Sequence, residues 1–181
     1  MPSDSTSKKR KSVLRTIRIT EEQDEVLRKD SKSSGLYVNA LLSTIITKYV
    51  EWDRFSDRFG FVSLSKEVFR SIIESTDEKR FRDTAKEFGS RIPKEAMLFW
   101  RRKLSLDSFL SFLFLVAKYQ KIAEYEIETR EGETVITARH EFGEKFSTWL
   151  RTFLDESLRN SFGIQAEFDV SKSFVVATFK S

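Results

Sequence analysis

The chain has 181 residues, of which 39% are hydrophobic and 33% are charged, a composition typical of a globular protein with one or two domains. It contains no cysteine and one histidine, which excludes disulfides, cysteine-ligated zinc or iron–sulfur sites, and multi-histidine metal sites within one subunit. The longest dense apolar run, 109–117, is too short to cross a bilayer, and no apolar segment follows the charged N-terminus as in a secretory signal. We therefore expect no membrane association and a cytoplasmic location.

The net charge of +4 is concentrated at the N-terminus. Residues 1–20 contain six basic residues and one acidic residue, whereas the remaining 161 residues carry a net charge of −1. A basic segment on a nearly neutral body indicates binding to a polyanion, although a solubilising tail would have the same composition. We predict that residues 1–12 form a flexible basic arm.

Residues 13–19 alternate in polarity, which predicts one short β-strand. Thr20 and Gln23 have the spacing of a capping box, so the strand should lead directly into a polar helix over 21–33. The sequence Ser-Ser-Gly at 33–35 ends that helix. A second helix is predicted from about Leu36, with an apolar stripe formed by Leu41, Leu42, Ile45, Ile46, Tyr49 and Val50.

This N-terminal segment lacks the means to fold alone. A single strand cannot satisfy its own hydrogen bonds, and about 40 residues with so few apolar side chains cannot bury a sufficient core. Both deficits disappear if two copies pair their strands into an antiparallel ribbon over four helices. The sequence therefore predicts an obligate homodimer.

Residues 11–52 resemble the ribbon-helix-helix DNA-binding superfamily of the MetJ/Arc/CopG type. The resemblance is carried by Leu14-Arg-Thr-Ile-Arg-Ile-Thr, the polar helix after it, Gly35-Leu-Tyr-Val-Asn-Ala and the aliphatic helix. Members of the superfamily are dimers that insert a two-stranded ribbon into the major groove. For residues 13–54, the resemblance implies a dimeric DNA-binding domain.

The same resemblance implies roles for individual residues. Base edges would be contacted by Leu14, Thr16 and Arg18. Phosphates would be held at the start of the second helix by Tyr37, Val38 and Asn39. Further phosphate contacts are predicted for Lys8, Lys9, Arg10, Lys11 and Arg15. The dimer core would contain Ile17, Ile19, Leu41, Leu42, Ile45, Ile46 and Tyr49.

All 17 phenylalanines lie at position 55 or later, which predicts a second folding unit over 55–181. Periodicity predicts helices over 65–75, 77–88, 94–104, 106–119 and 144–162, and hairpins over 123–140 and 164–179. Gly89 is expected to end the second of these helices, and Pro93 to begin the third. The predicted fold is α+β: an N-terminal ribbon-helix-helix, a helical segment, and an antiparallel hairpin–helix–hairpin domain.

The aromatic residues of this second unit could line an apolar pocket for a small effector, or they could simply form its core. His140, Glu141 and Glu144 combine a histidine with two carboxylates, which is a weak pattern for a metal site. The chain has no Gly-rich phosphate loop and no catalytic motif. We therefore predict no enzymatic activity, no catalytic residues, no metal and no cofactor.

Together these features predict a homodimeric, sequence-specific transcriptional regulator of the prokaryotic repressor type. Its partners would be double-stranded DNA, a second copy of itself, with higher-order assembly on DNA left open, and a small-molecule or protein effector at the C-terminal domain. Two alternatives remain open. The chain could be the antitoxin of a toxin–antitoxin pair, or an assembly protein that uses its ribbon only to dimerise.

Overall fold

A computed structural model of the protein describes residues 12–180. The chain divides between Thr47 and Lys48 into two compact units, here called the N-terminal unit and the C-terminal unit. Across the described residues, no helix is long and apolar enough to cross a membrane.

The N-terminal unit contains helices α1 (Glu21–Ser33) and α2 (Val38–Lys48). The predicted capping box is confirmed, because the Thr20 hydroxyl accepts from the Gln23 amide and the Gln23 side chain accepts from the Thr20 amide. Gly35 lies in the left-handed region with a φ of 65°, which lets the chain turn between the two helices.

The predicted N-terminal β-strand is wrong, and with it the ribbon-helix-helix fold. Residues 12–20 form no strand, and every strand in the described chain lies between Glu124 and Lys180. An alternating pattern indicates which side chains would share a face, but a strand also needs a hydrogen-bonded partner. No part of the described chain supplies that partner to residues 12–20.

A π-helical turn (Tyr49–Asp53) follows α2 directly and is continued by α3 (Arg54–Phe59). Its Trp52 is buried among aromatic rings and stacks on Tyr119 at a centroid distance of 5.6 Å. Glu51 accepts hydrogen bonds of 2.8 Å from both Lys118 and the Tyr119 hydroxyl. These contacts fix the start of the C-terminal unit.

Three further helices precede the sheet: α4 (Lys66–Ser75), α5 (Glu78–Arg101) and α6 (Leu106–Gln120). The prediction of two helices separated at Gly89 and Pro93 is wrong, because α5 is continuous and buries both residues. Gly89 is buried because α5 passes closely over the backbone of Phe153, where a larger residue would not fit.

The remaining elements are β1 (Glu124–Arg130), β2 (Glu133–Arg139), α7 (Glu144–Phe162), β3 (Glu167–Val170) and β4 (Phe174–Lys180). The two hairpins form one antiparallel sheet with strand order β1-β2-β4-β3. Ile136 of β2 lies opposite Ile127 of β1 and Ala177 of β4. One face of the sheet packs on the core, in which α7 contributes Phe146, Leu150, Leu154 and Leu158. The α+β class and the C-terminal hairpin–helix–hairpin order therefore agree with the sequence prediction.

Candidate nucleic-acid interface

The residues predicted to contact DNA bases lie in the irregular segment 12–20, where every side chain is exposed. Leu14 is the most exposed, at 92%, and Thr16 and Arg18 are also open to solvent. Within the described chain, Arg15 and Arg18 form no ion pair, and the segment contains no acidic residue. The segment therefore presents two unneutralised guanidinium groups, which suit phosphate oxygens and the acceptor edge of guanine.

The start of α2 has the features of an anion-binding helix terminus. The backbone amides of Tyr37, Val38 and Asn39 donate to no acceptor within the described residues, and the first turn of α2 carries no acidic side chain. The Tyr37 side chain is 88% exposed, and Asn39 is also exposed. Unpaired amides and the positive end of the helix dipole favour a phosphate at this position.

Four of the predicted phosphate contacts, Lys8, Lys9, Arg10 and Lys11, lie outside the described residues. The same holds for nearly all of the predicted basic arm, of which the structure describes only Ser12.

The side chains predicted to form a dimer core are exposed or half-buried in the single chain. Ile17, Ile46 and Tyr49 are each about three-fifths exposed, whereas Leu41 and Leu42 are half-buried. Ser31 is the one residue that is buried between positions 12 and 47, so this part of the N-terminal unit encloses no apolar side chain. Exposed apolar side chains at this density are typical of a surface that is covered by another molecule.

The exposed apolar set is larger than the predicted dimer core. It also includes Val13, Val26, Leu36 and Val50. The sequence could have identified Val26 as part of this apolar set, because it is one of the few apolar residues on the otherwise polar helix α1. Val13 and Leu36 are the first residues of the predicted strand and of the predicted second helix.

His140, Glu141 and Glu144 do not converge on a common point. Among the described residues, no group of three or more histidine and carboxylate side chains could hold a metal ion. The His140 Nδ1 accepts from the Phe142 amide at 3.2 Å, so the ring proton is on Nε2, which lies 2.9 Å from the Ser147 hydroxyl. Glu141 instead forms an ion pair with Lys66. His140 is therefore a structural side chain at the start of the β2–α7 connection.

Burial lowers the pKa of His140 below its ordinary value of about 6.5. The unfolded chain then binds this proton at a higher pH than the folded chain does, so the free energy of unfolding should fall as the pH drops below about 6.5. We expect His140→Asn to make the free energy of unfolding less dependent on pH between about 7 and 5. Urea unfolding of both proteins across this range measures the difference, and equal slopes would contradict the role of His140.

No protein-family model and no curated protein matches this sequence.

Proposed function

We propose that the protein is a homodimeric, sequence-specific DNA-binding transcriptional regulator that acts in the cytoplasm. One observation carries the proposal: between residues 12 and 47, unpaired cations and unpaired helix-start amides occur together with apolar side chains that have no core. The cations and amides suit DNA, and the apolar side chains suit a second copy of the chain.

The proposed DNA contacts do not require a β-ribbon. Thr16 and Arg18 of the irregular segment would read base edges, while Arg15 and the start of α2 would bind phosphates. The preceding basic residues 8–11 would add to the electrostatic attraction. Two copies would double these contacts and give the recognised site two related halves.

The C-terminal unit bears on the antitoxin alternative. Antitoxin segments that wrap a toxin tend to be short and to lack a fold of their own. Here residues 48–180 enclose a core with fully buried side chains such as Phe109, Leu154 and Val175. This observation favours a regulator with a folded second domain.

The first experiment is a selection of binding sites from random duplexes by the full chain, at about 150 mM salt, where nonspecific attraction is weakened. We expect an enriched motif with two related half-sites. Arg18→Ala should weaken binding to that motif by about 1–3 kcal/mol and change binding to unrelated DNA little, because Arg18 would contact a base.

Arg130→Ala is the matched control, since it removes the same charge from an exposed side chain of the C-terminal unit. It should leave both affinities unchanged. If no motif is enriched, sequence-specific binding is wrong and the assembly alternative gains support. If Arg18→Ala weakens binding to all sequences equally, Arg18 contacts phosphate and does not read a base.

A further inference from the structure

Helices α4 to α7 and strand β1 surround an apolar cavity of about 350 Å³ within the C-terminal unit, here called the chamber. Its wall includes the rings of Phe69, Phe88 and Trp149 and the side chain of Val116. Phe88 is 38% exposed, so the chamber is not sealed from solvent. A concave apolar space of this size is typical of a small-molecule site.

Two hydroxyl groups line the chamber, and they differ in their partners. Thr84 accepts from Trp149 Nε1 at 3.0 Å and donates to the Phe81 carbonyl at 2.6 Å. The Tyr125 hydroxyl has no partner within residues 12–180, and the Tyr125 side chain is half-buried. Burial raises the pKa of Tyr125, so the group stays protonated and able to donate. The hydroxyl is therefore available to an occupant that carries oxygen.

The chamber adjoins a second space of about 450 Å³, with which it shares Phe61, Phe69, Phe88, Val116 and Ile122. Lys66 and Lys121 line this second space, and no acidic residue of the described chain does. It therefore forms a positively charged mouth next to the apolar chamber.

The two lysines of the mouth are not equivalent. Lys66 is already paired with Glu141. Lys121 follows α6 and has no ion pair within the described chain. A neighbouring depression, which Lys121 also lines, contains Glu124 and Arg139. Lys121 is thus the cation that remains open to a bound anion.

We propose that the C-terminal unit binds a medium-chain aliphatic carboxylate, with its chain in the chamber and its carboxylate at Lys121. The chamber has room for about twelve methylene-sized groups if each takes about the 30 Å³ of a water molecule in the liquid. A chain that carries a hydroxyl or keto oxygen would gain a hydrogen bond to Tyr125. The proposal uses no residue of the N-terminal unit, so its test is independent of any test of DNA binding.

Titration calorimetry of the full chain with decanoate tests the proposal, with decan-1-ol and decyltrimethylammonium as neutral and cationic probes of the same chain length. We expect decanoate to bind most tightly and the cation least tightly. Lys121→Asn should weaken decanoate binding about three- to fivefold, the range of a strong exposed ion pair, and leave decan-1-ol unchanged. Asparagine tolerates the positive φ of 54° at this position.

Lys172→Asn is the control, because Lys172 is an exposed lysine of the β3–β4 turn that does not line the mouth. It should leave decanoate binding unchanged. If Lys121→Asn behaves like Lys172→Asn, or if decanoate shows no binding, the assignment is wrong.

Occupation of the chamber and the mouth is tested by Val116→Trp, because Val116 lines both spaces. Decanoate binding should be lost while the circular dichroism of the protein is retained, and unchanged binding would place the ligand elsewhere. Chain length gives a second test on the unmodified protein. Affinity should rise from hexanoate to decanoate, because each added methylene group is buried against the apolar wall. Equal affinities would overturn the proposal.

Discussion

Replacement of Gly89 by valine should lower the free energy of unfolding of the C-terminal unit by about 3 kcal/mol. A Cβ atom at Gly89 would lie 2.7 Å from the carbonyl oxygen of Phe153 and 3.2 Å from its Cα atom. These are backbone atoms of α7, which cannot rotate away as a side chain would. The two helices would have to separate, and the core between them would lose packing.

Urea unfolding of the full chain, followed by tryptophan fluorescence, measures this effect. Glu87→Val is the control, because Glu87 is exposed on the same helix and receives the same β-branched side chain. We expect the control to cost less than about 0.5 kcal/mol, as an exposed substitution does. Equal destabilisation by the two variants would show that α5 and α7 are not held together closely at Gly89.

Gly89 and Pro93 also show why the boundaries of α5 could not be predicted from local patterns. Glycine and proline usually end helices, since glycine is flexible and proline lacks an amide and crowds the preceding turn. Tertiary packing overrides both tendencies here, because the small size of Gly89 permits the contact with α7. The sequence did contain a signal for one helix: the small residues Ala85, Gly89 and Ala96 recur along a single face, and all three are buried.

Where local patterns decide the structure, the predictions agree with it closely. Helix α7 begins at Glu144 and ends at Phe162 as predicted, since its apolar periodicity is regular and Gly163 ends it with a φ of 67°. The first hairpin is equally local, because alternation and the turn at Glu131 and Gly132 specify its register.

The structure of the N-terminal unit could not be predicted fully from the sequence of a single chain. Polar and apolar side chains do alternate over residues 13–19. A strand also needs a second segment to which it can hydrogen-bond, and the alternation does not identify that segment. The candidate DNA-binding residues, including those at the start of α2, could be selected by type and order. The hydrogen bonds add that the amides at the start of α2 have no acceptor within the described chain. The chamber could be expected only in outline, because residues from four helices and a strand line it.

The double substitution Ile45→Asp with Ile46→Asp should abolish self-association. Ile45 and Ile46 are 48% and 60% exposed in the single chain, and they continue the apolar stripe of α2 that begins at Leu41 and Leu42. If a second copy covers this stripe, two carboxylates placed within it would lose their hydration without gaining partners. The cost should be about 4 kcal/mol or more, which corresponds to roughly a thousandfold weaker association.

The matched control is Thr44→Asp with Thr47→Asp. These residues are exposed and lie on the opposite face of α2, so the control adds the same two charges outside the stripe. Sedimentation equilibrium should find the unmodified chain and the control as dimers, and the isoleucine variant as a monomer. A monomeric unmodified chain at micromolar concentration would contradict the proposed dimer.

The same pair of variants separates dimerisation from DNA binding. Because half of the contacts to the enriched motif would come from each copy, the isoleucine variant should lose high-affinity binding, whereas the control should lose only the small electrostatic contribution of its added charges. Two copies held together also hold their irregular segments at a fixed spacing, which a monomer cannot do. If the isoleucine variant binds the motif as tightly as the control does, Thr16 and Arg18 of one chain are sufficient for recognition. The exposed stripe of α2 would then serve a different partner.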